Sequence, residues 1–234
     1  MAKFSFVKEP KDAKYVVTAF QTVGYISLLA MQYLEEKGAI RQIGFLDLNS
    51  GEQIAVVNNG EIGFPIRVLR GGDVIFITSQ FPLPQKSVDG LVDAVFELCK
   101  KNSYKGIIAL DGLAIDRAKT ESDVYYVSTK NGVQPAGTKK LDEGAMIGLN
   151  AVLALRAKLE NLPLTIVMAE THSEIPDGLA AAALIQVINS ISGMNVDAQE
   201  LVVEYKKTMA KIDSMLKKIA TKPKEEQSSP EVYG

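Results

Sequence analysis

The chain has no tryptophan, one cysteine and one histidine among its 234 residues. A lone cysteine, Cys99, excludes an intrachain disulfide and fits a reducing compartment. Because His172 is the sole histidine, only one imidazole is available for proton transfer or metal ligation. Neither sign of charge is in surplus. The 26 Lys and Arg against 28 Asp and Glu leave a net charge of -2, so bulk charge draws the chain to neither nucleic acid nor an anionic membrane. Long apolar runs are missing too. None approaches the ~18 residues of a membrane span, and none follows Met1 as in a signal peptide. The expectation is a cytoplasmic protein with no nucleic-acid or membrane partner.

Several catalytic signatures are also missing. The first apolar strand is followed by Gln21-Thr22-Val23-Gly24 and no G-x-G-x-x-G. No phosphate loop of the G-x-x-x-x-G-K-[ST] type occurs, and no G-x-S-x-G nucleophile elbow. These absences favour a non-enzyme that needs no cofactor.

What is there is globular. Hydrophobic residues make up 47% and charged residues 23%, enough for one sizeable core. Lys14 to Phe20 is a short apolar strand. Apolar residues then recur at helical spacing from Val23 to Leu34, after Thr22 as a capping residue, and Gly38 ends the run. Residues 42–48 form a second strand. Residues 49–73 carry short β-prone pieces, 53–57 and 64–69, with the turn signal Asn59-Gly60 between them. Further strands are expected at 73–78, 106–110, 123–129 and 164–168, and helices at 85–101, 143–159 and from Pro176 or Asp177 to Gly193. Cys99 lies on the apolar stripe of the 85–101 helix and reads as packing. Buried strands alternating with helices predict a three-layer α/β domain, a parallel-rich sheet flanked by helices, over residues 1–195.

Residues 196–219 predict a separate amphipathic helix. Its apolar positions Val202, Tyr205, Met209, Ile212, Leu216 and Ile219 follow 3, 4, 3, 4, 3 spacing, a heptad seam. Such a seam packs either on its own domain or against another subunit. Residues 220–234 change character: after Ala220 no apolar side chain beyond prolines occurs until Val232 and Tyr233. That composition predicts a disordered tail.

Two strand-end clusters are the candidates for chemistry. If the 164–168 strand continues, Glu170, His172 and Glu174 share one face and offer carboxylate and imidazole ligands to a metal. The plainer reading is a hydrogen-bonded corner. Asp111 and Asp116 also follow a strand and suit either acid–base work or turn capping. A small-molecule hydrolase or phosphorylase using residues 170–174 and 111–116 is the alternative function.

Three stretches carry a family resemblance: VVTAFQTVGYISLLAMQYLEE, DEGAMIGLNAVLAL and LPLTIVMAETHSEIPDGLAAAALIQVINSISG. Across roughly residues 8–195 the chain resembles the proteasome assembly chaperone 2 family, and its archaeal members in particular. It departs from the family's glycine-richer F-P-G-x-G-x-x-G stretch at Phe20-Gln21-Thr22-Val23-Gly24. The resemblance implies a fold like that of nucleoside phosphorylases and peptidyl-tRNA hydrolases, used for binding and not for catalysis. It also implies a homo-oligomer, a tetramer or pentamer, that binds 20S proteasome α subunits. Proteasome activators and some assembly chaperones end in a hydrophobic residue, a tyrosine and any residue. In this chain those positions are Val232, Tyr233 and Gly234.

Overall fold

The computed structural model describes residues 2–7, 9–48, 54–58, 60–116, 121–172 and 175–220, with residues 58 and 212–220 as backbone alone. The strands are β1 (Lys3–Phe6), β2 (Tyr15–Ala19), β3 (Arg41–Asp47), β4 (Val56–Asn58), β5 (Glu61–Gly63), β6 (Ile66–Gly71), β7 (Val74–Ser79), β8 (Gly106–Ala114), β9 (Val124–Ser128), β10 (Lys139–Lys140) and β11 (Leu164–Thr171). The helices are α1 (Ile26–Glu36), α2 (Val88–Lys101), α3 (Leu149–Leu159), α4 (Gly178–Ser192) and α5 (Gln199–Ala220).

Among the described residues, nine strands form one sheet in the order β1-β3-β6-β7-β2-β8-β11-β9-β10. Strands β7, β2, β8 and β11 run parallel. Around them, β6 is antiparallel to both β3 and β7, β1 to β3, and β9 to β11. Both faces of the central strands are buried, which is why they read as continuous apolar runs. Val16 of β2 and Phe20 just after it join Ile107 and Ala109 of β8 under α2 and α3. Val17 and Ala19 join Ile108 and Leu110 under α1 and α4. Sheet and two helical layers make the expected three-layer α/β architecture.

Several boundaries differ from expectation. The first helix starts at Ile26, because Gly24 and Tyr25 take positive φ (66° and 53°) and break the helical path. Thr22 makes no capping bond; its hydroxyl lies 3.2 Å from that of Ser27. The 143–159 helix begins only at Leu149, since Gly148 has φ 77°. Residues 143–147 form an irregular strap instead. Strands β8 and β11 run on to Ala114 and Thr171, pairing along their length. The short pieces near residues 53–69 divide: β4 and β5 form a separate two-stranded ribbon, while β6 joins the main sheet. Gln53 and Asn59 lie outside the described residues.

Cys99 is buried in the α2 layer, where its Sγ–H points at the Tyr104 carbonyl 3.8 Å away. Burial pushes its thiol up to about 11, against the opposing pull of Lys100. Between pH 9 and 11 the unfolded thiol ionises while the folded one stays protonated, so stability falls as pH rises through that window. Wild type should lose about 2 kcal/mol more than Cys99→Ala between pH 8 and pH 10.5. Denaturant titrations of both proteins at the two pH values measure the difference. An equal loss in the two would contradict it.

Candidate functional site

The connections around β2 and β8 set the geometry of the candidate site. From β2 the chain leaves toward α1 on one face of the sheet. From β8 it continues through β9 and β10 to α3 on the other face. Adjacent parallel strands whose connections diverge leave a crevice at their C-terminal ends. A cavity of about 620 Å³ lies there. The segment after β2, the end of β8 and the strap before α3 line it.

Asp111 lines this crevice and is largely withdrawn from solvent. Its Oδ1 accepts from the Gly112 N–H at 2.8 Å, and its Oδ2 accepts from Asn150 Nδ2 at 2.8 Å. The same Asn150 amide also donates to the Leu110 carbonyl at 3.1 Å. Burial raises the Asp111 carboxyl above the usual carboxylate range, and the bonds from Asn150 and Gly112 offset part of that rise. Asp116 sits beyond the end of β8 and is exposed, so it does not join Asp111 in the crevice. Asp142, just before the strap, and Glu143 at its start stand exposed at the mouth.

A second polar junction closes the adjoining strand end. Asp177 is 4% exposed and caps α4, its Oδ1 accepting from the N–H groups of Leu179 and Ala180 at 3.0 and 3.1 Å. Its Oδ2 accepts from the Thr171 hydroxyl at 3.1 Å, and its own N–H donates to the Gly24 carbonyl at 3.1 Å. The Gly24 turn is pressed against this corner. A Cβ there would lie 2.2 Å from Thr171 Oγ1 and 3.0 Å from the His172 carbonyl. The N-terminus of α4, where an anionic substrate would be held on such a fold, is therefore taken up by the chain's own carboxylate.

The 170–174 cluster is split. Glu170 is buried in β11, with its N–H bonded to the Asp123 carbonyl and its carbonyl accepting from Ser122 Oγ. His172 follows the strand, half-buried, while Ser173 and Glu174 lie outside the described residues. Among the described residues no three His, Cys, Asp or Glu side chains are grouped to hold a metal. Sequence reasoning missed Asn150 and the bond from Thr171 to Asp177. The available signals were weak: a polar residue at the start of an otherwise apolar helix, and an Asp directly before Gly178.

Helix α5 is anchored at its start. The Tyr33 hydroxyl donates to the Asp197 carbonyl at 2.8 Å, and Lys37 pairs with Glu200. Val202 packs against the cluster beneath α1 and α4, and Tyr205 lies over Gly178. Met209 is the last seam residue with a described side chain, and it is half-buried. Ile212, Leu216 and Ile219 are described as helical backbone only, and Val232, Tyr233 and Gly234 lie outside the described residues. No described helix is long and apolar enough to cross a membrane.

The sequence profile of the PAC2 family matches residues 16–216. No curated protein matches the chain in sequence. Solved structures do match it in fold. Pyrococcus furiosus PbaA, described as an archaeal homologue of proteasome-assembly chaperone, superposes with TM-score 0.76 at 21% identity, over 93% of this chain and 93% of its own. Pyrococcus furiosus PbaB, described as an archaeal proteasome activator, gives 0.73 at 16% identity, over 94% and 98%. A Mycobacterium tuberculosis proteasome-assembly chaperone homologue gives 0.63 at 16% identity, over 86% and 94%. At these identities the likeness establishes a shared fold.

Proposed function

The chain belongs to the PAC2 family, and from that premise we propose that it is a cytoplasmic proteasome assembly chaperone. In this proposal it binds 20S proteasome α subunits or α rings as a homo-oligomer, with its Val232-Tyr233-Gly234 tails as docking anchors. One observation carries the reading: a hydrophobic-Tyr-X terminus on a chain whose body independently matches this family. The proposal takes Gly234 as the terminal carboxylate.

The architecture suits the role. Helix α5 is held to α1 and α4 near its start and runs on to Ala220. At 1.5 Å per residue, its 22 residues extend about 33 Å. Residues 220–234 add a reach of roughly 45–50 Å if extended. A tail this long need not match the symmetry of the ring it meets. Val232 would fill a small apolar pocket between α subunits, and the Tyr233 ring would bring area together with a hydroxyl for a polar partner. The carboxylate would pair with a cationic side chain at the pocket floor. Each tail loses entropy on docking and binds weakly alone, and several tails on one oligomer restore affinity through effective concentration.

Self-association has surface available to it. Helix α3 carries Leu155 and Leu159 at 66% and 80% exposure, and Ile147 just before it is 91% exposed. The outer half of the α5 seam, Ile212, Leu216 and Ile219, would contribute further. A tetramer or pentamer is expected. Light scattering at micromolar concentration should give a multiple of 25.4 kDa, and a monomer mass would sink the oligomer. Surface plasmon resonance against immobilised 20S particles and free α subunits tests the function itself. Binding to neither would remove it.

A further inference from the structure

We propose that the crevice between β2 and β8 is a binding site for a small primary amine with an apolar body, its ammonium group held by the Asp111 carboxylate. This site is separate from the tail and independent of the proteasome reading.

The cavity is the right kind of space. Its volume of about 620 Å³ falls within the ~300–1,000 Å³ range of small-molecule sites, and it lies where open parallel sheets bind ligands. Phe20, Val23, Leu113, Met146 and Met168 give it an apolar wall, and Gln21, Thr22, Asp111 and Asn150 add polar groups. The polar group at the strand end is fixed in place. Gly112 cannot be enlarged, because a Cβ there would stand 2.6 Å from the Val23 carbonyl oxygen. Asn150 reaches Asp111 from the first turn of α3. These two donors hold one oxygen each.

Charge chooses the ligand. Both donors to Asp111 are neutral, a backbone N–H and a side-chain amide. No lysine, arginine or histidine stands among the described residues that line the cavity. A carboxylate withdrawn from water is stabilised by a cation with hydrogen bonds to give. Each Asp111 oxygen keeps acceptor capacity beyond the single bond described for it. Asp142 and Glu143 at the mouth make the approach favourable for a cation and unfavourable for an anion. A metal ion fits poorly, because one fixed carboxylate offers too few ligands and no metal-holding group exists among the described residues. An ammonium on an apolar body satisfies both the charge and the walls.

The probe is 2-phenylethylamine, titrated calorimetrically into the full chain at pH 8, with 3-phenylpropionate as an anion of similar shape. The amine should bind with Kd below about 1 mM, as expected for a ligand of its size in a formed pocket. The anion should bind at least tenfold more weakly. Asp111→Asn keeps the side-chain shape and should weaken the amine at least tenfold. Met146→Trp fills the crevice without touching Asp111 and should do the same, which keeps the test decisive if the Asp111 variant misfolds. No binding of the amine, equal binding of amine and anion, or unchanged affinity in a folded variant would each overturn the site. All measurements use the free protein, so failure here leaves the proteasome reading untouched, and the reverse.

Discussion

Replacing Tyr233 by alanine should weaken binding to 20S particles by at least roughly 30-fold, the effect of losing an aromatic anchor worth about 2 kcal/mol. Deleting Val232 to Gly234 should remove binding altogether at micromolar concentration. Avidity sharpens both effects. If each tail docks weakly, as proposed, a modest loss per tail is multiplied across the tails engaged at once. The charge contribution can be isolated by adding one residue after Gly234. That extension keeps every side chain and moves the carboxylate away from its cationic partner, so affinity should fall while Val232 and Tyr233 remain in place. Glu231→Ala should matter little, because a charge at the rim stays in water. Circular dichroism and thermal melts should be the same for all of these proteins. The measurement is an affinity series by surface plasmon resonance on immobilised 20S. Equal affinities across the series would remove the tail from the mechanism, while retained binding to free α subunits would point to a contact surface on the α/β domain.

A second large effect concerns stability. Asp177→Ala should destabilise the fold by about 2–3 kcal/mol. The α4 N-cap is worth ~1 kcal/mol and up to ~2. The cap bonds are those from the Leu179 and Ala180 N–H groups, and the rest comes from leaving the Thr171 hydroxyl without its carboxylate in a buried corner. For a chain of this length the midpoint of thermal unfolding should drop by about 5–10 °C. Asp177→Asn retains a side-chain oxygen and should cost less than half as much. Asp142→Ala, at the exposed position just before the strap, should stay within about 0.5 kcal/mol of wild type. A drop at Asp177→Ala no larger than at Asp142→Ala would show that the corner is not the support its bonding describes. The corner also joins the Gly24 turn to α4, so its loss should loosen one side of the crevice.

The sequence by itself determined the layers. Strands such as Val16–Ala19 and Ile107–Leu110 are apolar on both faces, and only burial between two helical layers suits that pattern. The helices around Leu91, Val95 and Cys99 and around Leu184 and Ile188 were legible from their period, and the family was legible from three stretches of chain. The seam of α5 was legible as apolar spacing. Its first turns lie on α4, because Gly178 leaves room for Tyr205 and Leu201 there, and a small residue facing a helix from twenty or more positions away leaves no trace in local spacing. Tertiary structure alone decided the candidate site. Residues 143–147 have helical composition, but the positive φ of Gly148 keeps them out of α3 and turns them into the crevice wall. Asp111 and Asp116 look alike in sequence, and only the extension of β8 against β11 half-buries the first and leaves the second in water. Asn150 reaches Asp111 across 39 positions of chain, and Thr171 meets Gly24 because β2 and β11 flank β8. Such pairings are long-range, set by sheet order, while the signals readable in sequence are those of the local period.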